Sequence, residues 1–169
     1  MARSVPKVNR KLRELASAYC SALRHHLGED LISVVLYGSV ARGEASQTSD
    51  IDLLIVAEGL PKGRFARKKC LAKADDDISA KLDALSDQGI ETSLTRVLKT
   101  PGEASRVVPL YLDLVEDAVL LFDRNGFFKD VLARIRLSLE KLGARRMVSG
   151  RVRYWDLKPD LRPGERFEI

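Results

Sequence analysis

A chain of 169 residues is long enough for one domain with a real core and too short for two comfortable ones. Apolar residues make up 45% and charged residues 31%, which excludes disordered and fibrous classes, and no apolar run reaches the roughly 20 residues of a membrane span. The net charge of +5 admits nucleotide or nucleic-acid partners, and the opening MARSVPKVNRKLRELASAYC lacks the uninterrupted apolar stretch of a secretion signal, so the expected location is cytoplasmic.

In chain order, Leu12, Leu15, Ala16, Tyr19, Ala22, Leu23 and Leu27 recur at helical spacing and predict a helix over 8–27, with Gly28 as its stop. Leu31 to Tyr37 (LISVVLY) is short, β-branched and nearly all apolar, as in a strand buried on both faces. Ile51 to Ala57 (IDLLIVA) repeats that character. After the breaker GLPKG, helical spacing returns from Arg64 to Leu85. A third strand is expected over about Ile90 to Leu98, and TPGEASRVVPLYLDLVED reads as a helix broken near Pro109, which lacks a backbone donor. Ala118 to Asp123 reads as a fourth strand and Phe127 to Leu142 as a last amphipathic helix. Beyond Gly143 the periodicity dissolves. Residues 1–143 are therefore expected to form the domain, and 144–169 a tail packed on it through Tyr154 and Trp155.

Element order alone implies an α/β (α+β) chain: a mixed sheet of about four strands covered by helices. Cys20 and Cys70 stand alone, without metal-ligand spacing, and read as core fillers. The adjacent His25 and His26 point apart on a helix and cannot form a metal pair. Basic residues cluster at Arg3 to Arg13, at Lys62 to Lys69 (KGRFARKK) and from Arg145 to Arg153. Taken singly, each cluster reads best as a solvated face.

The chemistry concentrates between the first two strands, in LYGSVARGEASQTSDIDLLI. Side chains alternate along a strand, so Asp50 and Asp52 point the same way, roughly 7 Å apart at about 3.3 Å per residue. Two carboxylates on one side repel unless a cation lies between them. A hard cation such as Mg²⁺ takes one or two carboxylates and completes its shell with phosphate oxygens and water. Gly38 lets backbone approach an anion closely, Ser39 adds a hydroxyl donor, and Arg42 can neutralise phosphate charge. The plainer alternative makes Asp50 a turn residue after Thr48 and Ser49, and Gly38-Ser39 a strand terminus.

With Gly-Ser, Ala-Arg-Gly and Ser-Asp-x-Asp-Leu together, Leu36 to Val56 resembles the signature of the polymerase-beta-like nucleotidyltransferase superfamily, in particular its small prokaryotic minimal nucleotidyltransferases. The resemblance implies a nucleotidyltransferase fold that binds a nucleoside triphosphate, ATP foremost, together with Mg²⁺. Gly38, Ser39, Arg42 and Ser49 would hold the nucleotide, and Asp50 and Asp52 the metal. The implied reaction is attack of an acceptor hydroxyl on the α-phosphorus with release of pyrophosphate. Active members add a third carboxylate from a neighbouring strand. Here the third strand contains no Asp, and its one carboxylate is Glu91, at the entrance, which reads either as ligand or general base or as a solvated strand-start residue. Asp113, Glu116 and Asp117 are the alternatives, on a predicted helix.

Many small relatives are antitoxins that adenylylate a helical partner toxin, so the leading expectation is AMP transfer to a protein or small-molecule hydroxyl. A non-catalytic nucleotide- or nucleic-acid-binding module on the same fold is the second reading, and an aminoglycoside-type transferase the third. Nucleic acid is the less favoured partner, a membrane is not expected, and homo-oligomerisation is left open.

Overall fold

The computed structural model describes residues 7–149, 152–162 and 165–167. Arg3 and Arg151, members of the terminal basic clusters, lie outside the described residues. The long helix α1 (Lys7–Leu27) buries Leu12, Leu15, Ala16, Tyr19, Ala22 and Leu23, the stripe its spacing predicts. Strand β1 (Leu31–Tyr37) ends in a short helix α2 (Gly38–Arg42), and a polar loop leads into β2 (Ile51–Ala57). Next come α3 (Arg64–Lys69), α4 (Ala72–Ser86), β3 (Leu94–Lys99), α5 (Pro101–Ala104), α6 (Leu110–Asp117), β4 (Val119–Asp123) and α7 (Phe127–Leu142).

The four strands form one mixed sheet in the order β3-β2-β1-β4. β2 runs parallel to β3, whereas β1 is antiparallel to both β2 and β4. Alternation along β2 divides the core. Leu53 and Ile55 pack with Leu12, Leu23 and Ile78 of α1 and α4. Leu54 and Val56 pack with Tyr111 of α6 and with Phe128 and Ile135 of α7. Asp52 shares the parity of Leu54 and so belongs to the α6–α7 face of the sheet.

Three details of this body differ from the sequence expectation. The helix predicted over Arg64 to Leu85 is two helices, because Cys70 and Leu71 donate to Arg67 and Lys68, three residues back. That tightened turn rotates Leu71 into the core while no residue of α3 is buried. It also leaves Cys70 exposed, so only Cys20 fills core space. The third strand starts later than Ile90, at Leu94, since Thr92 and Ser93 spend their polar groups on the mouth of β2.

The tail is not irregular. Arg145–Ser149 (β5) and Val152–Asp156 (β6) form an antiparallel hairpin. Arg146 lies opposite Trp155 and Val148 opposite Arg153, so Trp155 turns to the body and packs on the α6–α7 core. Tyr154, on the alternate face, is 48% exposed and does not pack as expected.

Candidate active site

The site is built where β1 ends and β2 begins. Asp52 lies between Tyr37 of β1 and Thr95 of β3 in the strand register. Asp50 stands just ahead of β2, and its Oδ1 accepts from the backbone N–H of Ser93 at 3.1 Å and from the Ser93 hydroxyl at 2.8 Å. The mouth is stitched further by Ile51 N–H donating to the Ser93 carbonyl (2.8 Å) and the Thr92 hydroxyl donating to the Ser49 carbonyl (2.8 Å). Asp50 is thereby fixed in orientation, and its Oδ2 stays free of these bonds.

Gly38 joins the two halves of the motif. Its φ is +73°, and a Cβ placed there would stand 2.2 Å from Asp52 Oδ2. No other glycine whose surroundings are described has a neighbour within 4 Å of such an atom. The turn after β1 therefore lies directly against the carboxylate, an approach only a glycine permits. Burial holds the Asp52 carboxyl above the usual aspartate range, the charge of Asp50 pushes it in the same direction, and Arg42 opposes both. Burial raises the neighbouring Tyr37 phenol as well, with the Asp52 charge adding to it.

Arg42 does not bond to either aspartate. Its Nε donates to Glu44 at 2.8 Å, and Nη1 lies 3.8 Å from Asp117. From the hairpin, Arg153 grips Glu44 with two bonds (2.6 and 3.2 Å), and Arg146 clasps Asp117 with both terminal nitrogens. The Glu44 carboxyl falls to about 2 through its bonds to Arg153 and Arg42, and Asp117 falls below its usual range chiefly through Arg146.

The structure brings Gly38, Ser39, Asp50, Asp52 and Arg42 to one end of the sheet. Ser49 closes a turn in which its hydroxyl accepts from Ser46 N–H at 2.9 Å. Glu91 Oε1 accepts from the Ser86 hydroxyl at the end of α4 (3.2 Å). Among the described residues no group of three or more His, Cys, Asp or Glu side chains is arranged to hold a metal. Thr95 occupies the β3 position beside Asp52. Asp113 and Asp117 are engaged with Arg146.

Sequence reasoning missed the supports of this site. Asn9 of α1 is fully buried; it donates to the Val40 carbonyl and accepts from Ala45 N–H, both at 3.2 Å. Arg13 donates to the carbonyls of Val40 and Ala41. Together they fasten both ends of the ARG turn. The available signal was a polar residue in phase with the apolar stripe at Leu12, Ala16 and Leu23.

A nucleotidyltransferase domain model matches residues 19–139. The chain belongs to the nucleotidyltransferase family. A Methanocaldococcus jannaschii protein provisionally named a protein adenylyltransferase is 32% identical over 133 residues, which cover 78% of this chain and 85% of that one. Among solved structures, a protein from Sulfolobus solfataricus provisionally described as a nucleotidyltransferase is 23% identical, with a TM-score of 0.47 over 73% of this chain and 91% of that one. A toxin–antitoxin complex with AMP-PNP is 17% identical, with a TM-score of 0.46 over 76% of this chain and 92% of that one. This nucleotidyltransferase carries its signature residues inside the matched span, and its hairpin lies beyond it. Among the described residues no helix is long and apolar enough to cross a membrane.

Proposed function

We propose that this nucleotidyltransferase moves an NMP group, AMP foremost, from a nucleoside triphosphate to a hydroxyl on a partner protein. The observation that supports the reading is the contact of Gly38 with Asp52: the turn backbone after β1 lies directly against a carboxylate of the Asp-x-Asp pair. In the reaction the acceptor oxygen bonds to the α-phosphorus. The bond from that phosphorus to the bridging oxygen breaks, pyrophosphate leaves with the electron pair, and the acceptor proton passes to water.

The donor set suits Mg²⁺: two hard carboxylates on one side of a strand, one of them desolvated and neither bonded to a guanidinium. Asp50 and Asp52 would hold the ion, whose contribution when bound is to neutralise charge developing on the phosphates. Ser93 keeps Asp50 in orientation, while Gly38 and Ser39 accommodate the triphosphate. Arg42 supplies positive charge beside them, and Ser49 shapes the loop. Glu91 serves as a solvated residue ahead of β3 in this reading. The protein-adenylyltransferase name of the archaeal relative supports a protein acceptor, and a toxin made from a neighbouring gene is the first to test.

The experiment incubates purified protein, Mg²⁺ and α-labelled ATP with the product of the adjacent gene. Label should appear on that product with the native chain and disappear with Asp50→Asn or Asp52→Asn. Equal labelling by native and substituted chains would sink the proposal.

A further inference from the structure

We propose that α3 and the recess beside it form a binding site for single-stranded nucleic acid, separate from the carboxylate pair. The segment Lys62 to Lys69 carries five cations and no carboxylate. Its helix buries none of its own residues, so core packing does not explain its composition. Phe65, at the centre, is 83% exposed, the most exposed large apolar side chain among the described residues. Lys68 and Lys69 follow it at the i+3 and i+4 positions, which flank an aromatic ring on a helix surface.

Beside the helix opens a recess of about 340 Å³ lined by Arg64, Arg67, Lys68 and Arg96, with Glu103 as the single carboxylate of the lining. Glu103 is committed to Arg67 through two bonds of 2.7 and 2.8 Å. No ion pair involves Arg64 or Lys68 among the described residues. Arg96 is only 12% exposed, and both of its hydrogen bonds, to Asp75 and Tyr19, leave from Nη1; its Nε is buried without an acceptor. The recess thus holds cationic donors in excess of its acceptors.

Arg96 pairs in register with Leu53 and so lies on the α1–α4 face of the sheet, opposite to Asp52. The two sites do not share residues. A single strand fits the pattern because it offers one negative phosphate per nucleotide together with an uncovered base face. Phosphates match the recess, and a base matches Phe65. A duplex hides those faces and leaves Phe65 without a partner.

The test is fluorescence anisotropy with a labelled oligouridylate about twelve nucleotides long, titrated at several salt concentrations. Three phosphate contacts predict a log–log salt slope of about −2. Arg64→Glu combined with Lys68→Glu should weaken binding at least tenfold and flatten the slope. Phe65→Ala should weaken it about fivefold or more while leaving the slope unchanged, since stacking releases no counterions. These side chains are exposed or partly exposed, so unchanged melting temperatures will show that the fold is intact. Arg10→Glu, on the exposed face of α1, should bind as the native chain does. The proposal is overturned by absent binding, by equal binding to the matched duplex, or by indifference to either variant. Preferential binding of poly-glutamate or of anionic vesicles overturns it too.

Discussion

Gly38→Ala separates backbone strain from damage to the site. At φ +73° an alanine incurs the left-handed cost of about 1–2 kcal/mol. Its Cβ would also fall 2.2 Å from Asp52 Oδ2, a distance no pair of non-bonded atoms tolerates. The carboxylate is the element that can yield, and leaving its rotamer adds roughly 0.5–1.5 kcal/mol. Destabilisation of about 2–3 kcal/mol is therefore expected by urea unfolding. Gly143→Ala is the control, with φ +65° and nothing within 4 Å of the added carbon, so it incurs the backbone cost of about 1–2 kcal/mol alone. Function should divide the two more sharply than stability does. On the proposed function, displacing Asp52 by about an ångström should slow nucleotidyl transfer by about 100-fold and weaken ATP–Mg²⁺ binding in calorimetry, whereas Gly143→Ala retains both. If the two variants lose activity equally, or Gly38→Ala loses none, the contact is not what makes the site.

Three further outcomes follow from buried and half-buried polar groups. Tyr111 buries a hydroxyl without a partner, and burial pushes its phenol up to about 12, so Tyr111→Phe should raise stability by about 1 kcal/mol in urea unfolding; a loss would mean the hydroxyl is satisfied. Asp52→Asn should raise the melting temperature at neutral pH. The native carboxyl titrates above its unfolded value, so its favourable contribution is present at low pH and lost as pH rises through the folded value. Melting curves of the native and Asn chains should thus diverge with rising pH, and parallel curves would contradict the burial argument. Asp117→Asn has the opposite sign: the native carboxyl is depressed, so the roughly 1–3 kcal/mol lost at neutral pH should shrink as pH falls below the aspartate range. Limited trypsin digestion should find the hairpin more open in that variant, and identical digestion would refute the clasp.

What was legible in the sequence is what depends on neighbours along the chain. Strands β1 and β2 and helix α7 have the limits that their apolar patterns predict. The joint at Cys70 was hidden because helical spacing continues through it, and only the switch to bonds three residues back reveals the turn. The hairpin was hidden for another reason. Its inward face carries Arg146 and Arg153, whose partners Asp117 and Glu44 lie 29 and 109 residues earlier, so no local apolar alternation marks it as paired strand. The motif itself announced Gly38 and Asp52, but not that the glycine is needed by the aspartate. That dependence exists only once β1 and β2 are in register.

The hairpin bears on the chemistry through charge. Arg42 acts on Asp52 through its charge, while Arg146 and Arg153 come from the hairpin to Asp117 and Glu44. The arginines are not shared evenly: Arg153 and Arg42 bond to Glu44, and Arg146 takes Asp117. The unmatched negative charge therefore falls on Asp50 and Asp52, where burial raises the Asp52 carboxyl and the Asp50 charge adds to it. Had Arg42 bonded to Asp52, the pair would be a salt bridge with no electrostatic need of a metal. With Glu44 and Asp117 drawing Arg42 aside, the aspartates keep an unpaired charge that a divalent cation, as proposed, would neutralise. Glu44 bears on the pair indirectly, by holding Arg42 Nε while Asp117 lies near its Nη1.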